Sequence, residues 1–225
     1  MNDIHLFYLS LSNGISDQCY DQWLSCLPAT ERVDLNRFKF RADRERRLLG
    51  RMLLRYGLIQ RFKMQVSILN EIRYTNFKKP CIRDIRFSIS HSADLVTCAV
   101  SDVFEVGVDV EKHALLTIND FRNSFTTTDW RLIENSNNPL KAFYDRWTIK
   151  EAVLKADGRG LLYAPQDIDI GNKGAIVVDG NTWYTQPVFL HREYSCYVAS
   201  NHPSASIRIE QLDFQRLLEY DHQIA

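Results

Sequence analysis

The apolar positions of this chain switch between two spacings, and the switches mark its elements. Ile4 to Leu11 reads as a strand, and Ser16 to Leu27, carrying Trp23, Leu24 and Leu27, as a short helix. From Ala42 to Phe62, Leu48, Leu49, Met52, Tyr56 and Ile59 recur at helical intervals with arginines between them, which predicts an amphipathic helix with a basic outer face. Val66 to Ile72 is strand-like, and Asn76 to Asp84, with Lys78-Lys79-Pro80, is a turn. Phe87 to Ser92 enters a β region. Leu95 to Val100 is a nearly continuous apolar run suited to a buried strand. Val106 to Val110 is the next strand, and the short turn at 101–105 predicts that these two pair as a hairpin. Asn138 before Pro139 is an N-cap followed by proline at the first helical position; the helix runs to about Ala156 and stops at Asp157-Gly158. Ile168 and Ile170, Ile176 to Val178, Trp183-Tyr184 and Tyr194 to Ala199 have strand character. Asp179-Gly180 is a hairpin turn, and Gln211 to Tyr220 a terminal helix. No repeat, low-complexity tract or Pro/Ser-rich linker interrupts the pattern. The element order places two lobes, 1–103 and 104–225, on either side of the 101–105 turn.

A chain of 225 residues can form one large domain or two small lobes, each with a core. With 45% hydrophobic and 25% charged residues it is ordinary for a soluble globular protein, which excludes wholesale disorder. Lys+Arg and Asp+Glu are both 28, and a net charge of zero argues against a nucleic-acid binder. The balance is uneven along the chain: Thr30 to Lys63 holds eleven basic residues against four acidic ones. That is either a solvated helix face or an anion-binding surface for a small phosphorylated ligand. The five cysteines are scattered with no Cys-x-x-Cys pair, as expected of reduced thiols in the cytoplasm and not of a disulfide frame or zinc site. The N-terminus lacks the basic start and apolar run of a signal peptide, and no apolar stretch approaches the roughly 20 residues of a membrane span, so no membrane partner is expected.

Two segments carry candidate chemistry. In Val106-Gly107-Val108-Asp109-Val110-Glu111, the two acids are two residues apart and leave a strand by one face. In Trp147-Thr148-Ile149-Lys150-Glu151-Ala152-Val153-Leu154-Lys155, Glu151 and Lys155 are four apart and share a helix face. Lys150 points about 100° away from Glu151, to meet a phosphate or solvent. Three carboxylates beside a lysine suit a hard cation gripping a phosphate, because Mg²⁺ takes oxygen ligands and shares them with substrate phosphates. The bland alternative for each acid is a solvated surface carboxylate. Trp147 is expected to pack and anchor its helix, and Gly107 to permit close backbone approach or a strand irregularity. Gly158-Arg159-Gly160 lacks the spacing and preceding strand of a phosphate loop and reads as a helix stop; Ser90-His91-Ser92 lacks the Gly-x-Ser-x-Gly setting of a serine hydrolase.

These segments resemble the signature of the 4'-phosphopantetheinyl transferases of the Sfp type, which show Gly-(Ile/Val)-Asp-x-Glu and then an aromatic-small-x-Lys-Glu-(Ala/Ser)-x-x-Lys block. Phe87-Ser88-Ile89-Ser90-His91-Ser92 is similar to the family's Ser-x-Ser-His-Ser strand, and Phe38 to Arg55 to its basic N-terminal helix. Four motifs in order span 38–160. The resemblance implies an α/β (α+β) fold of two similar lobes in a pseudo-twofold arrangement, each a small mostly antiparallel sheet packed with helices. The N-terminal lobe would bind coenzyme A and the C-terminal lobe would hold the metal and catalytic groups, with the ligand cleft between them. It implies transfer of 4'-phosphopantetheine from coenzyme A to a serine of an acyl or peptidyl carrier protein, releasing adenosine 3',5'-bisphosphate. Family members serve fatty-acid, polyketide, nonribosomal-peptide and amino-acid pathways. Mg²⁺ is the implied cofactor, with Mn²⁺ as a substitute.

On that footing Asp109, Glu111 and Glu151 are the expected metal ligands. Glu151 is the expected general base, Glu111 the second choice, and Lys155 neutralises the α-phosphate and the leaving bisphosphate. The expected coenzyme A contacts are Arg44, Arg46, Lys79, Pro80, Ser90, His91, Asp109, Lys150 and Lys155. The chain departs from the family where Lys78 replaces the glycine of a Gly-Lys-Pro turn, and where Glu31 and Asp34 stand in place of lysines that some relatives use for the 3'-phosphate. Arg32, Arg37 or Arg47 are substitutes for that clamp. Internal pseudosymmetry predicts a monomer. The competing classes are a non-catalytic coenzyme A-binding relative and a module that only docks acidic carrier domains through its arginine-rich segment.

Overall fold

A computed structural model of the chain describes residues 3–11, 14–159, 162–170 and 175–224. Two four-stranded sheets, each faced by one long helix, build the molecule, the mixed α+β arrangement expected above. The first sheet has strands in the order β10 (Ser206–Gln211), β1 (Asp3–Ser10), β5 (Leu95–Ser101), β4 (Arg86–Ser92). β1 and β5 are antiparallel, as are β4 and β5, while β10 lies parallel to β1. The second sheet is antiparallel, in the order β6 (Val106–Lys112), β9 (Tyr194–Ser200), β8 (Asn181–Pro187), β7 (Ala175–Val178). A two-stranded ribbon, β2 (Arg73–Tyr74) with β3 (Pro80–Cys81), stands beside the first sheet.

The helices α1 (Asp17–Ser25), α2 (Ala29–Asn36) and α3 (Arg41–Phe62) precede that ribbon. α3 lays Leu48, Leu49, Met52 and Leu53 against Phe7, Phe87, Val96 and Cys98 of the first sheet. α4 (Thr127–Glu134) and α5 (Pro139–Asp157) belong to the second half, where Ala152, Val153 and Ala156 of α5 pack on Ile176, Val178, Trp183 and Ala199. Between the sheets lies a third cluster, in which Ile4, Leu6, Leu95 and Ala99 meet Val106, Val108, Val110 and Val198. α6 (Phe214–Ile224) follows β10 and returns to the first core through Leu217. The 206–224 segment thus completes the first sheet from the far end of the chain, while 102–105 carries the chain from one sheet to the other.

Most local expectations match the structure. α5 has Asn138 as N-cap, Pro139 in its first turn and Gly158 as a left-handed C-cap. Asp179 and Gly180 take φ of 47° and 81° in the β7–β8 turn. Three expectations are corrected. Val66 to Ile72 is not a strand: Ile68–Glu71 is a single 3-10 turn that buries Ile68 and Leu69 in the first core. β5 and β6 do not form a hairpin. Both edges of β5 are filled by β1 and β4, so β6 has no free edge to join and starts the second sheet. Ile168 and Ile170 are buried but irregular, and Gly160 lies outside the described residues. No helix among the described residues is long and apolar enough to cross a membrane.

Candidate active site

The site forms where β4, the edge of one sheet, meets β6, the edge of the other. Serines at every second position of β4 present their hydroxyls to the backbone of β6. Ser88 Oγ accepts from Val108 N (3.0 Å), Ser90 Oγ from Val110 N (3.3 Å) and Ser92 Oγ from Lys112 N (3.1 Å). The hydroxyls do what carbonyls do within a sheet, and their two-residue spacing matches the strand repeat. On the other side of β6, Gly107 lets α5 lie directly on the strand. A Cβ there would sit 2.0 Å from the Ala152 carbonyl oxygen and 2.4 Å from the Ala156 nitrogen. Asp109 and Glu111 continue that face of the strand, so they emerge beside Glu151 and Lys155 of the seated helix.

These groups line one cleft of about 1040 Å³, roofed on the opposite side by α2, α3 and the β2–β3 ribbon. Asp109 is buried. Its Oδ1 accepts from Ser90 Oγ (2.7 Å) and Lys155 Nζ (2.7 Å), and its Oδ2 has no partner. Lys155 Nζ also donates to Ser90 Oγ (2.9 Å). Glu111 accepts from Ser92 Oγ (2.9 Å), and its carboxyl is pushed up to about 7, chiefly by burial and then by the Asp109 charge, with Glu151 adding to the effect. Burial and Asp109 also raise Glu151. Among the described residues no side chain donates to Glu151.

The carboxylates offer only oxygens, the Asp109 charge raises both glutamates, and a buried carboxylate oxygen is left unpaired. That chemistry fits a hard divalent cation held by Asp109, Glu111 and Glu151. As they stand, no three His, Cys, Asp or Glu side chains among the described residues are gathered closely enough to close on an ion, and Lys155 occupies one Asp109 oxygen.

The expected coenzyme A contacts divide into two groups. His91, Lys79, Pro80, Ser90, Asp109 and Lys155 line the cleft. Burial and the nearby charges of Arg47, Arg46 and Lys155 lower the His91 pKa, favouring neutral imidazole. Lys79 crosses the Gly158 backbone, where a Cβ would lie 2.3 Å from its Cδ, to reach Glu105 (2.9 Å) and the Ala156 carbonyl (2.5 Å). Lys78 adopts a left-handed φ of 63°, a conformation that glycine takes without strain. Ser90 lines the cleft, but its one donor and two acceptor positions are all used within the protein.

Three expected contacts do not line the cleft. Lys150 does not face the cleft: it is fully buried and paired with Asp129. Arg44 and Arg46 are not cleft-lining, and Arg46 is tied to Asp43 (2.6 Å). Of the proposed substitutes, Arg37 is paired with Asp34 and Arg32 does not line the cleft. Arg47 does, one residue further round the helix, with its guanidinium stacked 3.9 Å from the Phe38 ring centre. Residues with no expected role also shape the cavity. Glu31 is fixed by two bonds from Arg51 (2.6 and 2.8 Å) and one from Tyr74 (2.7 Å), so the acid that replaces a lysine is neutralised in place. Trp147 packs on Phe143, as expected, and also borders the cleft.

Comparison with known proteins agrees with this geometry. A family model described as the 4'-phosphopantetheinyl transferase superfamily matches residues 105–207, and one described as 4'-phosphopantetheinyl transferase, N-terminal, matches residues 15–103. The two matches meet at the crossing from β5 to β6. The chain is 31% identical over 168 residues to 4'-phosphopantetheinyl transferase gsp of Aneurinibacillus migulanus, covering 72% of this chain and 68% of that one. It is 25% identical over 227 residues to 4'-phosphopantetheinyl transferase Sfp of Bacillus subtilis (strain 168), covering 95% and 99%. The chain belongs to the 4'-phosphopantetheinyl transferase superfamily and is a transferase of that class.

Proposed function

We propose that this protein transfers the 4'-phosphopantetheine group of coenzyme A to a serine hydroxyl of an acyl or peptidyl carrier protein, with adenosine 3',5'-bisphosphate as the second product. The observation that carries the proposal is the convergence of Asp109, Glu111, Glu151 and Lys155 in one cleft. Asp109, Glu111 and Glu151 would hold Mg²⁺, which when bound supplies charge neutralisation at the pyrophosphate. Glu151 takes the proton from the incoming serine: both glutamates are raised, but among the described residues no side chain donates to Glu151, whereas Glu111 is engaged by Ser92. Lys155 offsets negative charge that builds on the leaving bisphosphate. His91, Arg47 and Lys79 supply polar and cationic surface toward the nucleotide end.

Balanced net charge and free cysteines suit a cytoplasmic setting, and a cleft built within one chain suits a monomer. The test is incubation of an apo-carrier panel with coenzyme A and Mg²⁺, read by intact mass. A mass gain of one phosphopantetheine on a carrier is the expected result. Coenzyme A binding with every carrier unmodified would overturn the proposal in favour of a non-catalytic binder.

A further inference from the structure

Lys150 stands next to Glu151 in sequence, yet its side chain points away from the cleft into the second half of the molecule. Its ammonium is fully buried among three oxygens, donating hydrogen bonds to two backbone carbonyls and ion-paired with one carboxylate. They are Asp129 Oδ2 on α4 (3.0 Å), the Pro165 carbonyl (2.9 Å) and the Ile168 carbonyl (2.5 Å). The Phe125 ring lies beneath it, 5.3 Å away. Asp129 is itself fully buried and is held by Arg146 (2.5 Å), so a closed ionic cluster joins α4, α5 and the irregular segment after α5.

That segment needs such a donor. Pro165–Asp167 forms one 3-10 turn, closed by the Ile168 N–H donating to the Pro165 carbonyl (3.2 Å), and the chain then runs on without a strand partner, which leaves the Ile168 carbonyl with no ladder to satisfy it. Tyr163 and Pro165 of the same segment line the cleft together with Glu151 and Lys155. One ammonium therefore ties the cleft wall to the helix that carries the reacting groups.

We propose that Lys150 is a positioning residue that fixes the 163–165 wall of the cleft against α5, setting the fit of the donor molecule without touching it. The proposal rests on the transferase reading for its kinetic consequence, but not for its structural one. Lys150→Met removes the three donors. Asp129→Asn, a milder change that keeps a side-chain oxygen for Lys150, loosens the same cluster from a side remote from the cleft.

The first measurement is hydrogen exchange of the free protein. Amides in 162–168 are expected to exchange about tenfold faster or more in either variant, with strands β6 and β9 unchanged. The second is steady-state kinetics below the melting temperature. KM for coenzyme A is expected to rise on the order of tenfold in both variants with kcat altered less than about threefold, and the double variant to be no worse than Lys150→Met alone. Faster exchange with unchanged KM would make Lys150 a purely structural residue and overturn the proposal. A raised KM in Lys150→Met alone, with Asp129→Asn indistinguishable from wild type, would overturn it in favour of direct contact. The exchange arm uses no ligand, so failure of the transferase reading would leave it standing.

Discussion

At the scale of single residues, Gly107 does the most to bring the three acids and Lys155 of the cleft together. With α5 seated 2.0 Å from where a Cβ would be, Gly107→Ala must lift the helix that carries Glu151 and Lys155 off the strand that carries Asp109 and Glu111. The neighbours are backbone atoms, which cannot turn aside. The variant is expected to lose about 1–3 kcal/mol or more of stability in a urea melt, together with nearly all transfer activity. A stable, active Gly107→Ala protein would show that the close approach is not needed. Charge gives a second residue-scale prediction. Glu111 titrates near 7 in the folded chain, and Glu151 is also raised. Between the ordinary glutamate range and about pH 7 the folded state therefore holds protons that the unfolded state has released, and stability falls as pH rises through that window. Without divalent cation the melting temperature should drop from pH 5 to pH 8 by more than in Glu111→Gln, and Mg²⁺ should restore more of it at pH 8 than at pH 5. Equal slopes for wild type and variant would remove Glu111 as their source.

Much at this scale was legible in the sequence. Two acids two apart on a strand, and an acid and a lysine four apart on a helix, state their shared faces through the period alone. Lys150 was not legible, because a 100° offset says where a side chain leaves the helix but not that Asp129, twenty-one positions upstream, waits there. Arg46 and Arg47 pose the same problem: adjacent in sequence, they differ by one helical step, and only the cleft decides between them.

At the scale of elements, the three serines of β4 hold the two sheet edges together. Ser88 is buried and its Oγ is the acceptor for Val108 N, so Ser88→Ala leaves that amide without its partner. An unmet buried amide costs about 1–3 kcal/mol, and a denaturant melt should show a loss of that size. Ser88→Ala with wild-type stability would mean that the seam is held by packing alone. The serine spacing was plain in the sequence, but its purpose was not, since β4 and β6 belong to different sheets. The expected β5–β6 hairpin failed for a related reason: local turn length cannot reveal that β1, nearly ninety residues earlier, has already taken the free edge of β5. β10, whose parallel partner is β1, lies beyond local reading in the same way.

At the scale of the whole molecule, two helix-backed sheets meet edge to edge, and the cleft is a consequence of that meeting. Each side brings different chemistry. β6 and α5 supply three acids and Lys155, while α3 and the β2–β3 ribbon supply Arg47 and Lys79. The central claim is that Glu151 serves the reaction, not the fold. Transfer to an apo-carrier by Glu151→Gln, followed by intact mass beside a melting curve of the same sample, tests it most directly. The predicted result is an unmodified carrier from a protein that melts at or above the wild-type temperature, since a raised, half-buried carboxylate has been replaced by a neutral amide. A carrier loaded at the wild-type rate would contradict the claim.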